Sequence, residues 1–64
     1  MNRSQLIERK HQIIAEIRQT RRELAAAHQR DDHRNAGRAR YLEGRLERLM
    51  AEEYRLRLAI DRSR

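Results

Sequence analysis

Leu42, Leu46, Leu49, Leu56 and Ile60 recur in alternating steps of four and three residues, with Glu53 filling the one polar place in the series. Side chains three and four apart share one face of an α-helix, so the segment 38–61 reads as a helix of about six turns. A second stripe precedes it: Leu6, Ile7, Ile13, Ile14, Ile17 and Leu24 recur at helical spacings. The doublets Leu6-Ile7 and Ile13-Ile14 make this stripe broader than a two-helix seam requires. Toward residue 28 it thins to Ala25, Ala26 and Ala27, small enough to let another helix approach closely. Asn2 or Ser4 can cap this first helix, and Gln5, three residues after Asn2, is placed to return the bond in a capping box.

Between the stripes lies Arg30-Asp31-Asp32-His33-Arg34-Asn35-Ala36-Gly37, which contains no large apolar residue. Asp31 or Asp32 can cap a second helix, or Asn35-Ala36-Gly37 can end the first. Continued in sevens from Ile7, the first stripe runs through Ile14, Arg21, His28 and Asn35 into Leu42 and Leu49. Its companion column, Lys10, Ile17 and Leu24, runs instead into Asp31, Arg38 and Arg45, while the second helix takes its companions from Leu46 and Ile60. The apolar pattern thus lapses across 25–38 and resumes with a shifted companion column. One long helix with a polar stutter and a hairpin both fit this lapse. The doubled aspartate, the glycine and the similar stripe lengths favour the hairpin. The expectation is an all-α antiparallel helical hairpin forming one domain over 1–64: helix about 3–30, turn about 31–37, helix about 38–61 and a short tail.

A chain of 64 residues buries only a small core, and without cysteine it has no disulfide to support that core. The doubled columns of the first helix spread wider than one neighbouring helix covers, and Met50, Tyr54 and Leu58 lie off the second helix's seam. A homodimer that closes into a four-helix bundle is the expected solution. Its core would hold Leu6, Ile7, Ile13, Ile14, Ile17, Leu24, Leu42, Leu46, Leu49, Leu56 and Ile60. No apolar run approaches the roughly 20 residues of a membrane span. No apolar stretch of signal-peptide length follows the N-terminus, so a cytoplasmic location is expected.

The formal net charge of +6 is carried by fifteen arginines and one lysine, with ten acidic residues interleaved. Arg34, Arg38, Arg45, Arg48, Arg55 and Arg62 fall on one line of the second helix, interrupted by Tyr41, Glu52 and Ala59. That line stands about 100° from the leucine seam. Glu43, Glu47, Met50, Tyr54, Arg57 and Asp61 form a mixed line on the other flank. The arginines, with Tyr41 as an anchor among them, are the candidate partner-binding residues: their planar forks suit carboxylates and phosphates alike. The plainer alternative is a solvated flank whose arginine stems cover the seam.

Catalysis has no support in the pattern. No Gly-rich loop or activated nucleophile appears, and Ser4, Thr20 and Ser63 read as cap, helix-surface and tail residues. Glu53 and Arg21, polar at seam positions, read as register-setting or dimer-pairing groups. His11, His28 and His33 have no metal-ligand spacing, so no metal, cofactor or small-molecule substrate is expected. The favoured function is a non-enzymatic regulator or inhibitor that binds another protein. The alternative is an RNA- or DNA-binding hairpin dimer that uses the arginine stripe.

The stripe Ile7-Ile14-Ile17-Leu24, the Asp31-Asp32 turn and the stripe Leu42-Leu46-Leu49-Leu56 resemble the format of plasmid copy-number regulators of the Rop type, dimeric helical hairpins that bind RNA. The arginine-rich, cysteine-free format is also similar to small phage proteins that antagonise host regulators, of the Pseudomonas phage anti-activator type. Either resemblance implies a dimeric hairpin acting on a macromolecule. Neither carries over a site residue.

Overall fold

The computed structural model describes residues 2–29 and 33–63, with the side chains of 33–35 excepted. It consists of two helices, α1 (Arg3–Gln29) and α2 (His33–Arg62), packed against each other as a hairpin. The molecule measures 49 × 14 × 13 Å. A continuous helix of this length would reach about 96 Å at 1.5 Å per residue, so the stuttered single helix is excluded. No helix among the described residues is long and apolar enough to cross a membrane.

Local sequence accounts for both outer ends. The Asn2 side-chain oxygen accepts the Gln5 amide hydrogen at 2.8 Å, and the Gln5 side chain accepts that of Asn2 at 3.1 Å. This is the expected reciprocal capping box, and it satisfies two donors that a helix start leaves without partners. At the other end the Ser63 hydroxyl donates to the Ala59 carbonyl at 2.8 Å, and its amide donates to the Ile60 carbonyl. Ser63 therefore closes the last turn of α2.

The turn is shorter than expected. Helix α2 begins at His33, so Ala36 and Gly37, assigned to the turn by sequence, lie inside it, and no described glycine has positive φ. Nothing lies within 4 Å of where a β-carbon on Gly37 would stand, so the residue is in open space rather than at a close approach. A glycine in an exposed helix costs about 1 kcal/mol relative to alanine, which the flanking Arg38, Ala39 and Arg40 can carry as good helix formers. The sequence offers Asp31 or Asp32 as the cap of this helix. Asp31 and Asp32 themselves lie outside the described residues.

The core is a narrow strip on each helix, a column in sevens with Ile17 beside it on α1. Leu6, Ile13 and Ile17 of α1 pack with Leu49 and Leu56 of α2, and Leu46, Ala59 and Ile60 lean against this cluster. Leu42, Ala27 and Thr20 extend the buried column toward the turn. On α1 the buried column therefore steps in sevens from Leu6 through Ile13, Thr20 and Ala27, while Ile7, Ile14 and Leu24 are half-buried. Thr20, expected on the helix surface, is only 2% exposed. The reason is register: the Ile7 column would carry Arg21 and His28 into the seam, whereas the Leu6 column carries the smaller Thr20 and Ala27. Arg21, read as a seam residue, is accordingly exposed.

Ile13 is fully enclosed. Ile13→Ala is expected to lower the unfolding free energy by about 2–5 kcal/mol, read from urea denaturation followed by circular dichroism. Thr20→Val keeps the volume and removes a hydroxyl from the seam, so it is expected to raise the unfolding free energy by up to about 1 kcal/mol, read as a higher denaturation midpoint. A lowered midpoint for the valine variant would show that the hydroxyl stabilises the column.

Candidate functional site

A plane through both helix axes divides the surface of the hairpin into two broad sides, and their chemistry differs. On the first, Arg9 of α1 donates through Nε and Nη2 to Glu52 Oε1 of α2, at 3.3 and 3.0 Å. Arg38 approaches Glu23 at 4.0 Å, and Gln19 bonds Glu23 within α1. These groups sit beside the seam because they lie one helical step from the buried columns. Their alkyl stems cover apolar atoms while the charged ends meet over the gap. Glu16 and Glu23 of α1 are half-buried on this side too.

The predicted arginine line belongs to this polar side and divides into two groups. Arg38 is paired with Glu23. Arg45, Arg48, Arg55 and Arg62 form no ion pair among the described residues. Arg45 is half-buried, and the other three are exposed. The Arg48 guanidinium folds back along α2, its Nη1 3.5 Å from where a β-carbon on Gly44 would stand. Arg48 and Arg55 share a shallow depression with Glu47, Ala51 and Glu52. Tyr41 is exposed on the same line. The side chain of Arg34 lies outside the described residues.

The second side is more apolar. Ile14 and Ile17 of α1 face Met50 and Glu53 of α2 across a shallow groove rimmed by Arg18, Arg21 and Arg57. Met50 is 46% exposed and Tyr54 55%, large apolar surfaces for side chains next to a groove. Ile7 and Leu46 are half-buried. Arg57 is held in place: its Nε donates to Glu53 Oε1 at 3.0 Å, one turn back, and its guanidinium carbon lies 5.6 Å from the centre of the Tyr54 ring. Glu53, the polar intruder of the leucine stripe, thus has its partner within α2, and its side chain is only 16% exposed. Near the turn His28 Nε2 lies 3.6 Å from Glu43 Oε1.

Among the described residues no group of three His, Cys, Asp or Glu side chains is arranged to hold a metal ion. The sequence reading did not anticipate the Arg9–Glu52 bridge. Its signal was present: both residues stand beside a buried column, one basic on α1 and one acidic on α2. No protein-family model, curated protein or solved structure matches the chain.

Both side chains of the Arg9–Glu52 pair are 40% exposed, so water screens the bond. A double-mutant cycle with Arg9→Gln and Glu52→Gln is expected to give a coupling below about 1 kcal/mol. A larger value would mean that this bridge fixes the hairpin's register energetically as well as geometrically.

Proposed function

We propose that the chain is a non-enzymatic regulator or inhibitor that works as a helical-hairpin homodimer and binds an acidic surface of another protein through its arginine line. One observation carries this reading. The hairpin pairs Arg9, Arg38 and Arg57 with its own carboxylates, yet Arg45, Arg48, Arg55 and Arg62 have no such partner among the described residues. Desolvating a guanidinium is costly unless a carboxylate or phosphate meets it, and these forks are displayed along about 25 Å of one helix flank. The apolar second side supports the homodimer, because a lone hairpin leaves Met50 and Tyr54 substantially exposed.

An acidic protein suits the line better than a nucleic acid. Glu47 and Glu52 share the depression that holds Arg48 and Arg55, so positive charge comes as separated points rather than as a continuous track. Separated forks suit discrete carboxylates. A phosphate backbone presents charge at every step, and single-strand binders add several stacking aromatics, whereas this chain has two tyrosines and no other aromatic residue apart from histidine. The resemblance in format to small phage antagonists of host regulators agrees with this reading.

The test compares wild type with Arg48→Ala/Arg55→Ala as baits in a bacterial lysate, with and without nuclease. A protein retained by wild type, insensitive to nuclease and reduced about tenfold or more with the double variant is the expected result; tenfold corresponds to about 1.4 kcal/mol. Capture abolished by nuclease, with a steep dependence on salt, would replace the acidic protein by a nucleic acid. Undiminished capture by the double variant would remove the arginine line from the binding site.

A further inference from the structure

The geometry points to a specific dimer. The Ile14–Met50 side of the hairpin is covered by a second copy related by a two-fold axis parallel to the helices, so that α1 of each copy lies antiparallel over α2 of the other. This inference rests on the homodimer reading and adds the face, the orientation and the facing residues.

The first observation is the asymmetry of the two sides. Ion pairs close the polar side over the seam, whereas the second side leaves Ile7 and Ile14 half-buried and Met50 and Tyr54 exposed beside its groove. This side gathers its exposed apolar residues around one groove, whereas the polar side exposes Tyr41 among arginines.

Charge supplies the second observation. Along this side the rim of α1 is basic, with Arg18 and Arg21 in no ion pair among the described residues. The outer rim of α2 carries the exposed Glu43, beside His28, and Glu47, which stands at the boundary with the polar side near Arg48 and Arg55, while the positive charge of Arg57 on this rim is matched by Glu53. Stacking α1 of one copy on α2 of the other sets basic rim on acidic rim at both halves of the interface. The alternative two-fold, perpendicular to the helices, stacks α1 on α1 and α2 on α2, and so opposes like charges twice.

Height along the rod is the third. Arg9 stands across from Glu52 and Glu23 from Arg38, so height in α2 falls as residue number rises, while His28 and Glu43 meet obliquely near the turn. A rotation about an axis parallel to the helices leaves heights unchanged. By that register Glu43, Glu47 and Met50 of one copy stand within about 6 Å along the rod of Arg21, Arg18 and Ile14 of the other, in that order. The apolar pair and both charge pairs share nearly the same small offset, which long side chains span without sliding one hairpin along the other.

The chain contains no cysteine, which makes directed cross-linking clean. Full-length Ile14→Cys and Met50→Cys chains are prepared separately, checked for helicity by circular dichroism, then mixed in equal amounts and oxidised with glutathione disulfide. The expected result is a disulfide-linked pair in the mixture and little or none from either variant alone. Met50→Cys linking to itself would establish the other two-fold and overturn this arrangement while leaving the homodimer intact. Sedimentation of wild type as a folded monomer at tens of micromolar would overturn the homodimer reading as well. A second measurement reads the charge register. Arg18→Glu/Arg21→Glu and Glu43→Lys/Glu47→Lys chains should each dimerise at least tenfold more weakly than wild type, and the single chain carrying all four changes should recover. A four-fold variant as weak as either double variant would sink the pairing of rims.

Discussion

Two packed helices can hide only the strip that each turns toward the other, and in this hairpin that strip is narrow: one column of α2 against one column of α1 with Ile17 beside it. Leu6, Ile13 and Ile17 against Leu49 and Leu56 form nearly all of the interior, with Leu42, Thr20 and Ala27 carrying it toward the turn. Each other property follows from where a residue stands relative to this contact. A residue one step to one side of the column closes the seam with a charge. A residue one step to the other side lines an apolar groove. Because the seam is so narrow, the molecule is mostly surface, and its character is set by how that surface is divided.

The division is electrostatic on one side and apolar on the other, and the physics of each differs. The Arg9–Glu52 and Arg38–Glu23 bridges are exposed enough that water competes with them, so their direct contribution to stability is small. They matter more as geometry, since an antiparallel pair shifted by one turn would separate both. The apolar side has no such closure. Arg57 is tied down between Glu53 and the Tyr54 ring, which leaves the neighbouring Met50 and Ile14 accessible rather than covered by a mobile arginine stem. Arginine thus serves three distinct ends here: bridging the helices, ordering a groove and standing unpaired on an outer flank.

How much of this the sequence discloses depends on how unequal the competing columns are. In α2 the leucines leave one choice of seam, and the column Leu42-Leu49-Leu56 is the one buried. In α1 the doublets Leu6-Ile7 and Ile13-Ile14 offer two equivalent columns, and local periodicity cannot separate them. What decides is fourteen residues further on, where one column meets Thr20 and Ala27 and the other meets Arg21 and His28. A threonine reads as surface by polarity, yet it is far cheaper to bury than arginine, and that comparison selects the register. The turn was misplaced for a related reason. Gly37 signals a break by propensity alone, but an exposed glycine in the first turns of a 30-residue helix costs less than the packing the rest of the helix gains. The two-sidedness of the hairpin was half legible: the basic and acidic flanks of α2 were visible, but which of α1's flanks stands beside each required the buried column to be known first.

The proposed dimer, stacked through the apolar side, would also determine where the arginine lines go. With the two hairpins stacked on that side, the polar sides become the two opposite outer faces of a four-helix block, and each carries its own copy of Arg45, Arg48, Arg55 and Arg62. In that proposed arrangement the two lines are related by the two-fold axis, so an acidic partner would meet two equivalent sites rather than one. A partner that is itself a two-fold dimer, or that repeats an acidic segment along its chain, would engage both and gain by effective concentration what a single exposed set of ion pairs does not supply. In the proposed dimer the stacked side and the arginine line lie mostly on opposite sides of the plane of the hairpin and meet at Glu47, which borders Arg48 and Arg55.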